Sequence, residues 1–272
     1  MSSVKLPVII SVPHGGTTIP REVQPLCRAD LSAILRDGDT WSRDLYALEG
    51  RVLFYIDTEI ARVAVDLNRG PGDRPPHNPD GVVKTFTING EQVWYDLEGL
   101  STEMTELLIH RYYFPYHRAI QEACKASEAV LGLDCHTMLG LAPESAPAPF
   151  EPRPLICLSN RGNEQGQPTG EPITAPAELL AALKDSLAQQ FQHDDVELKA
   201  DGPSVTLNHP FKGGYITQYH GNSGHIPWIQ VEISRGLYMP EHPCWAEEPA
   251  EDIKKRLNDI KQKFYRGLKA LF

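Results

Sequence analysis

The chain has 272 residues, of which 41% are hydrophobic and 23% charged, a balance that can bury a large core and argues against pervasive disorder. Its formal charge of −10 argues against non-specific nucleic-acid binding, which depends on Lys and Arg neutralising phosphates. No run of ~18 apolar residues occurs, so no membrane span is expected, and the whole of 1–272 reads as one domain.

In chain order, apolar runs alternate with helical patterns. Residues 8–12, 52–56, 61–67, 130–133, 155–158, 214–219 and 228–233 read as strands. A helix is expected from its cap Ser101 through His110 and His117 to about Ala129, kinked by Pro115. Pro176 opens another, with Leu179, Leu180, Leu183, Leu187 and Phe191 on one face. A last helix over 249–271 places Ile253, Leu257, Ile260, Phe264, Leu268 and Leu271 at helical spacing. This alternation predicts an α/β fold with a mixed, mostly parallel central sheet and helices on both faces. Two Pro/Gly-rich loops, 70–81 and 141–154, each follow candidate site residues and are candidate walls or lids of a crevice.

Several of the apolar runs end in chemistry. The run 61–67 leads into Asn68 and Arg69, and a guanidinium fork beside an amide donor suits the carboxylate of a small acidic substrate. The run 8–12 leads into His14, followed by Gly15 and Gly16, where the backbone can turn closely beside an imidazole. The run 130–133 leads into Asp134 and His136. Two such histidines with acids nearby point to a catalytic zinc site with three protein ligands and an open position. The third ligand is open among Asp39, Asp37 and Asp134. Asp39 is preferred, although the acidic turn around Gly38 also reads as an ordinary helix cap. Asp134 also suits a partner that fixes an imidazole tautomer.

Glu232 lies in an apolar run, on the face shared with Gln230 and Ser234, and reads as a general base and then acid for amide hydrolysis. Its bland alternative is a salt bridge to Arg235 or another basic residue. The stretch from His209 to Tyr215 holds Gly213 and Gly214, which read as substrate-binding backbone, with a plain hairpin turn as the alternative. His110 and His117 read as core packing. The cysteines at 27, 124, 135, 157 and 244 show no paired spacing and read as reduced thiols. Cys135 is a conceivable nucleophile, but strand alternation points it away from Asp134 and His136. With no signal-type run in 1–6, the expected location is cytoplasmic. No oligomeric state is readable.

Seven motifs in order resemble the N-formylglutamate amidohydrolase family, related to zinc carboxypeptidases. They are Ser11-Val12-Pro13-His14-Gly15-Gly16 with Ile19-Pro20, Asp39-Thr40-Trp41 with Leu45-Tyr46, Val65-Asp66-Leu67-Asn68-Arg69, and Pro115-Tyr116-His117. Asp134-Cys135-His136-Thr137-Met138, Pro210-Phe211-Lys212-Gly213-Gly214-Tyr215 and the run from Glu232 to Met239 complete the set. The resemblance implies a carboxypeptidase-like fold and hydrolysis of N-formyl-L-glutamate to formate and L-glutamate in histidine breakdown. It implies zinc on His14 and His136, a substrate carboxylate on Asn68 and Arg69, and Glu232 as base. The sequence departs from the carboxypeptidase pattern at Thr17, where a ligand Glu would stand three residues after His14; Asp39 is carried in its place. The nearest alternative is a related zinc amidohydrolase acting on another N-acyl amino acid or a muropeptide amide. A non-catalytic anion-binding protein is the alternative from another class.

Overall fold

Successive residues of β1 (Leu6–Val12) feed two separate cores. Val8, Ile10 and Val12 face one cluster and Ile9 the other, as strand alternation requires. The computed structural model describes residues 4–126, 128–144, 146, 148–192, 203–240, 243 and 245–272. Cys244 lies outside them. The strands β1, β2 (Val52–Asp57), β3 (Leu131–Met138), β4 (Ile156–Ser159), β5 (Val205–Leu207) and β6 (Trp228–Ser234) form one six-stranded sheet. Its order is β2-β1-β3-β6-β4-β5. All pairs are parallel except β4 with β6, which is antiparallel. The expected mixed, mostly parallel α/β sheet is therefore present.

The helices cover both faces. On one, α5 (Ala177–Phe191) contributes Leu180, Leu183, Leu187 and Phe191, and α7 (Glu251–Lys269) contributes Ile253, Leu257, Ile260, Phe264 and Leu268. On the other, α3 (Thr102–Leu108), α4 (Phe114–Cys124) and α6 (Tyr215–Gly221) bury Leu108, Ile120 and Ile216 with Trp228. Ser101 caps α3 as expected, accepting from the Met104 amide at 3.2 Å. Pro115 produces no sharp break. The chain instead widens into a π turn over Ile109–Tyr113, which accommodates a residue that has no N–H to donate and a ring that crowds the preceding turn. The two short helices α1 (Leu31–Asp37) and α2 (Ser42–Leu45) follow β1.

Two expected strands are absent. Residues 61–67 form a buried turn, with the Val65 amide bonded to Ala61 O at 3.2 Å. Ala61, Val63, Ala64, Val65 and Leu67 are buried there, and a short apolar run looks the same whether it fills a core as strand or as turn. Gly214 instead caps α6 and 215–219 belong to it, with the buried Ile216, Thr217 and His220 recurring at helical spacing. The edge strand β5 was not expected; three residues are too few to show a pattern. No helix among the described residues is long and apolar enough to cross a membrane.

Candidate metal centre and cavity

The carboxyl ends of the parallel strands β1, β3 and β6 converge, the position where open α/β sheets place their ligands. His14 stands two residues past the end of β1, and His136 pairs in register with Glu232 across β3 and β6. Asp39 sits in the turn between α1 and α2, and its amide is bonded to His14 O at 2.9 Å. Asp39 Oδ2 lies 3.1 Å from His136 Nδ1 and 3.7 Å from His14 Nδ1. The ligand atoms of these three residues all fall within 4.8 Å of one another. All three are buried.

The outer imidazole nitrogens explain why the inner ones face each other. His14 Nε2 lies 2.8 Å from Asp66 Oδ1, and His136 Nε2 lies 3.0 Å from Asp134 Oδ1. At His14 the proton shared with Asp66 on the outer nitrogen leaves the inner nitrogen with its lone pair, the arrangement that orients an imidazole for a metal, whereas Asp134 Oδ1 lies beside His136 Nε2 without a hydrogen bond. Asn68 Nδ2 also touches His136 Nε2 at 3.2 Å, held in that orientation because its Oδ1 accepts the Ile216 N–H at 2.8 Å. Two imidazoles and one carboxylate, with Asp66 bonded behind His14, make a donor set suited to a divalent cation.

The electrostatics follow from crowding. Burial would raise the Asp39 carboxyl, but His136 and His14 override it and hold Asp39 well below the usual carboxylate range. Burial would lower His136, yet Asp134, Asp39 and Glu232 keep it well above the ordinary imidazole value. Glu232 is pushed up to about 7, first by burial and then by the charges of Asp39 and Asp134, with His136 and Arg235 opposing. Gln230 Nε2 donates to Glu232 Oε1 at 3.0 Å. The two share a face, as alternation requires.

A cavity of about 720 Å³ opens over this centre. It is lined by His14, Asp39, His136 and Glu232, and by the loop 141–154, which forms a wall through Ala142, Glu151 and Arg153. Loop 70–81 contributes Asp80. Arg69 also lines it, with Nε donating to Asp80 O at 2.8 Å and Nη2 to Asp80 Oδ2 at 2.5 Å. Asn68 is turned inward as a brace between α6 and His136. Gly213 and Gly214 line the cavity too. Gly213 has φ +106°, and a Cβ on Gly214 would come 2.3 Å from Asn68 Nδ2. The Gly214 N–H is held by Gln230 Oε1 at 2.6 Å, so its glycine identity reflects close approach to Asn68.

Among the other candidates, Asp37 is bonded to the buried Lys84 and the Ile88 amide. Cys135 is fully buried, with burial, Asp134 and Glu232 all pushing its thiol up, which removes it as a nucleophile. His117 is a core histidine as expected, but His110 is exposed, because the π turn breaks the face they would share. Sequence reasoning missed two residues. Asp66, quoted only as part of a motif, is the carboxylate behind His14. Arg235, named above only as a possible partner of Glu232, lies just past the end of the strand at Ser234, where a 3₁₀ turn carries it inward. Its Nη2 reaches Asp39 Oδ1 at 3.2 Å and its Nε donates to Thr137 Oγ1 at 2.9 Å.

The sequence profile described as N-formylglutamate amidohydrolase matches residues 6–239. The chain belongs to the N-formylglutamate amidohydrolase family. It is similar to an N-formylglutamate deformylase of Pseudomonas aeruginosa, 26% identical over 89% of this chain and 85% of that one. A Pseudomonas putida N-formylglutamate deformylase is 25% identical over 87% of this chain and 83% of its own. The crystal structure of an N-formylglutamate amidohydrolase from Ralstonia eutropha JMP134 superposes with a TM-score of 0.72 at 22% identity, covering 98% of this chain and 94% of that one. A protein of Agrobacterium tumefaciens gives 0.63 at 13% identity, covering 98% and 91%. Both structures share this family member's fold.

Proposed function

We propose that the protein hydrolyses the amide bond of N-formyl-L-glutamate to formate and L-glutamate, with a zinc ion held by His14, Asp39 and His136. The observation that carries this reading is the position of Glu232, a buried carboxylate in register with His136, beside three residues that could hold a metal ion. When bound there, a divalent cation supplies a Lewis acid for the water and the formyl oxygen. Glu232, poised near neutrality, takes the proton from the attacking water and returns it to the departing amide nitrogen. Gln230 fixes the carboxylate for both transfers.

Arg69 takes a substrate carboxylate and orients the amide over Glu232, with Asp80 holding its fork in place. Arg235 holds Asp39, and its Nη1, buried without a partner at the cavity wall, is a donor for the oxygen that gains charge. Gly213 and Gly214 let the loop pass close to Asn68. No disulfide joins the four described cysteines, which suits a cytoplasmic location. The test is formate release from N-formyl-L-glutamate by purified protein, with metal content measured alongside. Stoichiometric zinc, loss of activity on chelation and recovery on zinc addition are expected. An active protein indifferent to chelators would overturn the metal assignment, and turnover of other N-acyl amino acids in preference would overturn the substrate.

A further inference from the structure

Six basic side chains line the cavity, and four of them are already neutralised. Arg36 pairs with Glu91, Arg62 with Asp66, Arg69 with Asp80 and Arg235 with Asp39. Among the described residues, the side chains of Arg153 and Lys212 make no hydrogen bond or ion pair. Lys212 is exposed, and a hydrated ammonium in water needs no partner. Arg153 differs, because its Nε is buried and lacks an acceptor, a rare condition for a charged donor.

Its backbone and its ring partner are both anchored by hydrogen bonds. The Arg153 amide is bonded to Gly140 O at 2.8 Å, two residues past the end of β3. Its guanidinium lies over the Phe211 ring at 4.9 Å, a stacking that leaves the planar donor edge available. The backbone that carries the ring is itself held, since Ser159 Oγ donates to Phe211 O at 2.7 Å and the Arg161 amide to Lys212 O at 2.9 Å. Burial pushes the guanidinium below the ordinary arginine range, while the charge of Glu232 opposes the shift. A cation held this way, on the wall of the cavity that also holds the hydrolytic centre and with no carboxylate bonded to it, awaits an anion supplied by the ligand.

We propose that Arg153 binds the side-chain carboxylate of the substrate and sets the preference for an acidic N-formyl amino acid, an inference that rests on the deformylase reading above. The substrate then has one carboxylate for each arginine. The α-carboxylate, one carbon from the scissile nitrogen, falls to the Nη1 side of Arg69, which Asp80 leaves open while it holds Nε and Nη2. The second, two methylenes further out, falls to Arg153 on the loop 141–154, which lines the same cavity.

The experiment compares metal-loaded wild type, Arg153→Met, Arg153→Lys and the control Lys212→Met on N-formyl-L-glutamate and its neutral isostere N-formyl-L-glutamine. Wild type should favour the acid on the order of 10- to 100-fold in kcat/KM, the scale of a charge-assisted hydrogen bond. Arg153→Met should lose rate on the acid alone, bringing the ratio close to one, with Arg153→Lys recovering part and Lys212→Met keeping the preference. Equal losses on both substrates would place Arg153 at the reacting group or in the fold, and an unchanged ratio would place the selectivity elsewhere; either overturns the proposal. If wild type deformylates neither compound, the deformylase reading fails, and calorimetric binding of L-glutamate against L-glutamine decides Arg153 separately. Tighter glutamate binding that Arg153→Met abolishes supports the role, and equal binding of the two by wild type overturns it.

Discussion

Asp66 Oδ1 stands 2.8 Å from His14 Nε2 and also accepts the Asn68 amide at 2.9 Å, so one carboxylate oxygen fixes both a metal-facing imidazole and the start of the Asn68-Arg69 pair. Its other oxygen takes Arg62 Nε at 2.9 Å. Burial alone would raise the Asp66 carboxyl, but Arg62 and His14 hold it well below its ordinary range, so it is ionised at neutral pH. Replacing it by Asn removes the charge that keeps the proton on the outer nitrogen of His14. Asp66→Asn should weaken metal binding by about 10- to 100-fold, measured by competition with a chromophoric chelator. Unchanged metal affinity in Asp66→Asn would remove the carboxylate–imidazole pair from the site.

Glu232→Gln preserves shape and the contact with Gln230 but cannot accept a proton. Turnover should fall by about 10²- to 10⁴-fold while metal content stays at the wild-type level. Glu232 must be ionised to act as a base, and burial with its acidic neighbours sets it at about 7 before a cation is bound. A bound cation favours the ionised form, so the acid limb of the wild-type kcat/KM profile should lie below about 7, and the residual activity of the variant should lack it. Near-normal kcat in Glu232→Gln would end the base assignment.

The sequence reveals the site wherever chemistry follows a real strand. His14, His136 and Glu232 are legible because β1, β3 and β6 are long apolar runs whose carboxyl ends meet. The run before Asn68 carries the same signal, although the segment is a buried turn, since local hydrophobicity cannot distinguish two ways of filling one core. Arg235 and Asp66 are hidden for a different reason. Alternation stops at a strand's last residue, so it misplaces Arg235, and the link from Asp66 to His14 spans 52 positions and exists only after folding. Arg153 shows no signal at all in a proline-rich loop, because what distinguishes it is the lack of a partner.

Arg69 is tied to Asp80 by Nε and Nη2, which fixes the fork before substrate arrives. Arg69→Ala should raise KM for N-formyl-L-glutamate by about 10- to 100-fold with a smaller change in kcat, because it removes binding shared by substrate and transition state. Asp80→Asn keeps the arginine but loosens it, and should give a smaller rise. Steady-state kinetics on both variants checks the order, and a loss confined to kcat would show that Arg69 acts on the reacting group.

His117 and His220 form a buried pair behind the site. His117 Nε2 donates to Leu67 O at 3.0 Å, so its Nδ1 must accept from His220 Nε2, also at 3.0 Å. Both rings are therefore neutral, and burial depresses His117 to about 4 and His220 to about 3. Between the ordinary value of 6.5 and those values the unfolded chain binds protons that the folded chain refuses, so these groups make stability fall as pH drops through that window. Glu232, raised in the folded state, works in the opposite sense over part of the same range, which makes the difference between wild type and a variant the useful quantity. His117→Gln keeps a donor for Leu67 O but cannot titrate. It should be less stable than wild type at pH 7, and the gap should narrow by roughly 2 kcal/mol by pH 5, at about 1.4 kcal/mol per pH unit for one group. Denaturant melts of the two proteins at a series of pH values measure this directly, and a gap independent of pH would show that His117 is not buried neutral.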